Sequence, residues 1–382
     1  MKSKFLLILF PLALLALIAV FWWRQPLGLA FKSQASAHGG QAITTGSSPT
    51  SVPASDAQVI TQIDAICAEL KASKDPTTTR AILAKLRALL NALPPAVASR
   101  VVQAFLATNH DAATNLDLTI KPGGILSDSS SLRVFLLDYL GLVDKAAAGA
   151  MAMQILSHYT TPDEWAISLR NYAWANPGPD GLAFLKEKAS ELLANAAWVK
   201  DPSAGFLEAF DTIVYAQDTA ATPTLATLLR ANDNRAAAHA AYLTLDRLVI
   251  NQPTAMLQTL VSQPDLMQGR EQTRADFVAR ADLGQPDQRA LVEQYLLDPT
   301  RNPQELYTFA AIYPNANYMI SNNLLTGTPT PTGDVLIQRD QAALAVVQQW
   351  QQDPRFKNLQ PYLAQMLQRL GTFVQQAAAN GH

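Results

Sequence analysis

Six consecutive segments between residues 222 and 313 decide the fold class of this 382-residue chain. They are TPTLATLLRA (222–231), RAAAHAAYLTLDRLVI (235–250), PTAMLQTLV (253–261), QTRADFVARA (272–281), PDQRALVEQYLL (286–297) and PQELYTFAAIY (303–313). Apolar residues recur in each segment at spacings of three and four, which is the periodicity of an amphipathic helix. We therefore predict six successive short helices over this stretch.

The same periodicity extends through the rest of the chain from Asp56 onward. It recurs in segments 82–90, 132–140 and 363–374, and the alanine-rich segment 144–156 has high helix propensity. No series of alternating strands with hairpin turns is recognisable. The sequence therefore predicts an all-α body.

Prolines mark the predicted helix starts. In Thr161-Pro162-Asp163-Glu164 a capping threonine precedes a first-turn proline, and the glutamate stands at the capping-box position. Asn302-Pro303-Gln304-Glu305 repeats this pattern. Further starts are predicted at Pro76, Pro202, Pro223, Pro253, Pro286 and Pro354. The intervals from 162 to 202, 223 to 253 and 253 to 286 fall in the range of two-helix repeats.

This series of helix starts resembles the HEAT-like and tetratricopeptide-type α-solenoids. The resemblance implies a right-handed α-solenoid-like array of helical hairpins, assigned to residues 56–325. Thr326–Asp334 then separates the array from a terminal helical hairpin at 334–382, which would cap the last apolar face. An irregular helical domain is the alternative, because packed helices of any kind show much of this pattern.

The N-terminal part, residues 1–32, has the pattern of a membrane-spanning signal anchor. Lys2 and Lys4 precede nineteen residues without a charge, Phe5–Trp23. As a transmembrane helix this run spans about 28 Å, close to the hydrocarbon thickness of a bilayer. The alternative is a cleaved secretory signal, with cleavage sites at 28–30 or 35–37.

Residues 33–55 are predicted to be a disordered linker. They contain no charged residue, and 18 of the 23 are Ser, Thr, Gly, Pro or Ala. Such a segment cannot bury enough apolar area to offset its ordering entropy. We therefore expect a single-pass protein of the cell membrane with its body outside the cytoplasm, which is the periplasm in a Gram-negative cell.

Composition excludes several classes of function. With 29 basic and 31 acidic side chains, the chain lacks the positive charge of a nucleic-acid binder. Its single cysteine, Cys67, excludes an internal disulfide and predicts a buried thiol among apolar neighbours. No P-loop, GxSxG or HExxH motif occurs, and His239 is predicted to be a packing or surface histidine. We expect no catalytic residue, cofactor or metal.

Aromatic and acidic residues concentrate between positions 158 and 198. The candidate binding surface consists of Tyr159, Trp165, Tyr172, Trp174 and Trp198. Together with carboxylates in 163–180, these residue types suit a glycan-active enzyme. The structural alternative places Trp165, Leu169 and Tyr172 on one buried helix stripe, with Asp163 and Glu164 stabilising the helix start.

The predicted function is therefore that of a protein–protein interaction or scaffold module in the cell envelope, with a protein or peptide as its partner. Two alternatives remain. One is a glycan- or cell-wall-active all-helical enzyme that uses the carboxylates near 163–180. The other is an assembly factor for another envelope protein.

Overall fold

The structure is a computed structural model, and it describes residues 56–231, 234–327 and 330–379. The predicted anchor (1–32) and linker (33–55) lie outside these residues. Within the described ranges, no helix combines the length and the apolar character that a bilayer crossing requires.

The described chain is predominantly helical, which confirms the predicted fold class at this level. The described residues form 18 α-helices: Asp56–Ala72 (α1), Pro76–Asn91 (α2), Pro95–Ala107 (α3), Leu132–Val143 (α4), Lys145–Leu156 (α5), Pro162–Ala175 (α6), Pro179–Ala194 (α7), Ala196–Lys200 (α8), Ala204–Glu208 (α9), Asp211–Tyr215 (α10), Thr222–Arg230 (α11), Arg235–Asn251 (α12), Pro253–Ser262 (α13), Glu271–Val278 (α14), Pro286–Leu297 (α15), Pro303–Ile312 (α16), Gly333–Gln352 (α17) and Gln360–Ala379 (α18). Short 3₁₀ helices lie at Thr219–Ala221, Pro264–Met267 and Pro354–Leu359.

The six segments that decide the fold class correspond to α11–α16. Several of the predicted proline starts are correct, since α2, α6, α13, α15 and α16 each begin at a proline. The start predicted at Pro202 is displaced by two residues. There Ser203 is the N-cap, accepting a hydrogen bond from the Phe206 N–H, and α9 begins at Ala204. Proline thus marks the region of a helix start, while the capping side chain sets the residue.

Most helices pack against a helix one or two positions away along the chain. Next-neighbour pairs include α5 with α6 and α11 with α12, while α4 packs on α6, α14 on α16 and α16 on α18. One apolar core extends from α1 to α14, and a second joins α13–α16 to the α17–α18 pair. The fold therefore rests mainly on contacts that are local in sequence.

A small β-hairpin interrupts the helices, a local feature that the all-α prediction does not include. Strand β1 (Thr119–Lys121) pairs antiparallel with β2 (Ile125–Asp128). The intervening turn contains Gly123 and Gly124, whose φ angles are +84° and +75°. Glycine adopts this left-handed region at no steric cost. Strands of three and four residues are too short to show a clear alternating pattern, which is why sequence analysis missed them.

A long segment without helix or strand follows α16, and we call residues 314–327 the strap. The Asn315 N–H donates to the Ala279 carbonyl at 2.9 Å, beside the end of α14. Further along, Asn322 donates to the Ile120 carbonyl in the hairpin at 3.2 Å, and the Leu324 side chain is fully buried in the first core. The strap therefore contacts elements far back in the chain, including the hairpin, which precedes it by 202 residues at the Asn322–Ile120 contact.

Candidate functional site

Three of the five aromatic residues predicted as a binding surface meet in one cluster. The Tyr159 ring stacks on Trp165 with a centroid separation of 5.3 Å, and Trp198 stands edge-on to both rings. Trp165 is buried on the predicted stripe with Leu169 and Tyr172. Of the cluster, Tyr159 alone is largely exposed.

The other two predicted residues lie elsewhere. Tyr172 is buried against Phe184, with ring centroids 4.3 Å apart. Trp174 has two cations near its ring, with the Arg170 guanidinium 4.2 Å and the Lys145 ammonium 5.9 Å from its ring centroid. The five aromatic residues therefore do not form one continuous surface.

The acidic residues at the start of α6 are buried in structural contacts. Asp163 accepts hydrogen bonds from the Ser203 hydroxyl at 2.5 Å and the Gly205 N–H at 2.9 Å, which ties α6 to α9. Glu164 forms an ion pair with Arg133 at 2.7 Å. Within 163–180, only Asp180 has an exposed carboxylate, so this segment offers no pair of free acids.

Glu164 and Glu305 share an arrangement that the capping-box prediction did not include. The Thr161 hydroxyl accepts from the Glu164 N–H, as a cap should, but the Glu164 carboxylate binds Arg133 instead of returning to the cap. In the repeated motif, Glu305 binds Arg274 at 2.6 Å. Each glutamate follows its arginine by 31 residues, so both pairs join a helix to the next but one.

Five acid–arginine pairs among the described residues follow this pattern, and we call them the ion-pair ladder; both members of each pair are buried except in Asp211–Arg247, where Arg247 is half-buried. They are Arg133–Glu164 and Asp138–Arg170 between α4 and α6, Asp211–Arg247 between α10 and α12, Asp246–Arg280 between α12 and the end of α14, and Arg274–Glu305 between α14 and α16. Sequence separations within the pairs run from 31 to 36 residues. Buried charges are tolerated in a protein interior when they are paired in this way.

The ladder also holds the strap. Asp211 Oδ2 accepts from the backbone N–H groups of Leu325 at 2.6 Å and Thr326 at 2.9 Å, and Asp211 Oδ1 accepts from the Thr326 hydroxyl at 2.6 Å. Arg247, the ion-pair partner of Asp211, also donates to the Thr326 hydroxyl oxygen. At the other end, Arg280 donates to the Asn317 carbonyl at 2.8 Å. Two pairs of the ion-pair ladder, Asp211–Arg247 and Asp246–Arg280, thus bind the backbone of the strap.

A cavity of about 310 Å³ lies beside this anchor, between α9, α10, α12 and strap residues 321–323. Its wall includes the carboxylate-bearing Glu208 and the exposed side chain of His239. Burial raises the pKa of Glu208 to about 7, and the nearby Asp211 adds to that rise while Arg247 opposes it. This volume is at the lower end of the range for small-molecule sites.

Sequence analysis missed Glu208, Asp211 and Thr326 because none belongs to a recognisable motif. His239 was placed correctly on the surface as one of two possibilities, and Cys67 is buried as predicted. Across the ranges that the structure describes, no three His, Cys, Asp or Glu side chains converge on a point that would suit a metal ion. In comparisons with known proteins, no family model, curated protein or solved structure matches the chain.

Proposed function

We propose that this protein is a membrane-anchored helical-repeat scaffold outside the cytoplasm, which presents its strap to a partner polypeptide. An α-solenoid organisation is supported by the packing of helices on their near neighbours. The 31- to 36-residue separation of the ladder pairs supports it further, since this is the length of a two-helix repeat. The anchoring rests on the uncharged run Phe5–Trp23 and its flanking lysines.

The observation that carries the proposal is the contrast between the flanks and the middle of the strap. Asn315 and Asn317 are bonded to residues 279 and 280 on one flank, and Leu325 and Thr326 are bonded to Asp211 on the other. Between these flanks, Met319 is 52% exposed and Ile320 is 75% exposed. An extended segment is therefore held at both ends with its apolar middle in solvent.

The backbone in the middle of the strap has no hydrogen-bond partner among the described residues. Within the described residues, the N–H and C=O groups of residues 318–321 make no hydrogen bond. An extended backbone with unpaired donors and acceptors can pair with a second chain as an added strand. Successive side chains of an extended segment point to opposite faces, so Met319 would contact a partner on one face of the added strand and Ile320 on the other. Because the ladder fixes the flanks, less ordering entropy is lost when a partner binds.

Photo-crosslinking in cells that express the full chain tests this function. The probe p-benzoylphenylalanine replaces Met319 in one variant and Met153 in a matched control, since Met153 is 53% exposed on α5. We expect position 319 to form an adduct with one defined polypeptide and position 153 to form none. The added substitution Ile320→Asp should remove the adduct. Equal adduct patterns at both positions, or no adduct at either, would contradict the proposal.

A further inference from the structure

The cavity beside the strap anchor combines apolar walls with two carboxylates, those of Glu208 and Asp211. Leu207, Phe210 and Leu243 contribute apolar surface, and strap residues 321–323 form part of the rim. Glu208, at the last position of α9, reaches this wall. A pocket of this composition favours a ligand with an aliphatic body and a single polar end.

Of the charged side chains around the cavity, Asp211 and Arg247 are paired with each other, whereas Glu208 is in no ion pair with any described residue. Asp211 is satisfied by Arg247, by the Thr326 hydroxyl and by two backbone N–H groups. Arg247 is in turn committed to Asp211, at 2.8 Å, and to Thr326. Among the described residues, no hydrogen bond or ion pair holds the Glu208 carboxylate. Arg247 is close enough to oppose the rise of the Glu208 pKa, but in the part of the chain that the structure describes, the Glu208 carboxylate has no ion-pair partner of its own in this largely apolar space.

We propose that this cavity binds an aliphatic ammonium group, with Glu208 as the anionic contact and the apolar walls around the alkyl stem. A charged hydrogen bond from ammonium to a partly buried carboxylate is stronger than one between neutral groups. Anions are disfavoured because Glu208 and Asp211 both face the cavity and the Arg247 charge is already paired. A neutral alkyl group would leave the carboxylate without a partner.

The ionisation of Glu208 gives the proposal a pH dependence. The pKa of Glu208 is raised to about 7 by burial, with Asp211 on α10 adding and Arg247 on α12 opposing. His239, also on α12, is the other titratable side chain on the cavity wall. Protonation of Glu208 removes the anionic contact, so binding should weaken as the pH falls. A glutamate of pKa about 7 is about nine-tenths ionised near pH 8 and about one-tenth ionised near pH 6.

Calorimetric titration of the full chain, in non-ionic detergent, with n-butylammonium chloride tests the proposal. This probe has the four-carbon stem of a lysine side chain, and n-butanol is its neutral control. We expect saturable binding of n-butylammonium near pH 8, about tenfold weaker binding near pH 6, and no saturable binding of n-butanol. A parallel titration with Nα-acetyl-lysine amide distinguishes the source of the group. If Nα-acetyl-lysine amide binds more tightly than n-butylammonium, the natural ligand is a polypeptide lysine. If it binds more weakly, the natural ligand is a free amine. Either ranking supports an ammonium site.

Two variants and one control complete the test. Glu208→Gln should weaken n-butylammonium at least tenfold and remove the pH dependence. Ala236→Trp adds bulk at an exposed residue of the cavity wall and should also reduce binding. Glu187→Gln alters an exposed glutamate on α7 and should leave binding unchanged. Equal affinities in Glu208→Gln and the parent chain, equal binding of n-butanol, or no saturable binding of either amine would overturn the proposal.

Discussion

Asp211 holds Thr326 at two points, although 115 residues separate them along the chain. One carboxylate oxygen accepts the Thr326 backbone N–H at 2.9 Å, and the other accepts the Thr326 hydroxyl at 2.6 Å. Because Asp211 is itself buried and paired with Arg247, this contact joins the strap to the interior of the helical body. The strap is thus attached through charge-assisted hydrogen bonds, which are stronger than those between neutral groups.

Replacing Asp211 with alanine should loosen the strap and destabilise the body. The change leaves the half-buried Arg247 without its counter-charge and leaves two strap N–H groups without an acceptor. We expect a loss of about 3 kcal/mol or more in the free energy of unfolding, measured with urea. Asp180→Ala is the matched control, because that carboxylate is exposed in the first turn of α7 and should cost only about 0.5 kcal/mol. Equal losses in the two variants would show that Asp211 has no anchoring role.

Substitution of Glu164 tests whether its carboxylate stabilises the fold as the ion-pair partner of Arg133 or as part of a helix cap. Glu164→Ala leaves Arg133 buried without its ion-pair partner, and we expect a cost of about 3–5 kcal/mol in the free energy of unfolding. Loss of a capping interaction alone would cost about 1 kcal/mol. The double variant Arg133→Met/Glu164→Leu removes both charges and should recover much of the loss. A single-variant loss near 1 kcal/mol would favour the capping-box interpretation.

Because of Glu208, the free energy of unfolding should decrease as the pH rises towards 7. Its folded-state pKa, about 7, is higher than the pKa of about 4.3 for an unperturbed glutamate, so the folded chain binds the extra proton between these values. Stability contributed by this group is therefore present at low pH and is lost as the pH rises through about 7. Glu208→Gln should raise the free energy of unfolding near pH 8 by about 1–2 kcal/mol, allowing for solvent screening, and have little effect near pH 4. A stabilisation that is equal at both pH values would contradict the raised pKa.

Gly123 and Gly124 of the hairpin turn allow a matched test of the contact between the turn and the strap. Both have positive φ, but a Cβ on Gly123 would lie in open space, whereas a Cβ on Gly124 would overlap the Leu324 carbonyl oxygen in the strap. Gly123→Ala should cost about 1–2 kcal/mol from backbone strain alone. Gly124→Ala should cost about 1–3 kcal/mol more, because the strap must shift. Thermal unfolding of both variants measures the difference, and equal costs would indicate that Leu324 does not pack against the turn.

The helices were predictable because their determinants are local. In α11–α16, apolar residues three and four apart lie within a single segment, and every helix of this group except α14 also has a proline or a capping side chain at its start. The hairpin and the strap depend instead on contacts between residues far apart in sequence. Asn322 meets Ile120 across 202 residues, and no local pattern in either segment indicates the other.

The candidate site shows the same limit. Local sequence rules placed Glu164 and Glu305 correctly in the first turn of a helix, but they gave no means of finding an arginine 31 residues earlier. Glu208 carried no signal at all, because its environment arises from α10, α12 and the strap together. The five aromatic residues are close in sequence, but Tyr172 lies two turns beyond Trp165 on the same buried stripe and packs on Phe184, and Trp174 contacts Arg170 and Lys145.

Hydrogen–deuterium exchange of the full chain, resolved by mass spectrometry along the strap, tests most directly that the strap is held at its flanks and free in its middle. We predict slow exchange at Asn315, Leu325 and Thr326 and fast exchange at residues 319–321. In Asp211→Ala, protection should be lost at Leu325 and Thr326 and kept at Asn315. Uniformly fast exchange from 315 to 326 in the parent chain, or protection of 319–321 in the isolated protein, would contradict the account.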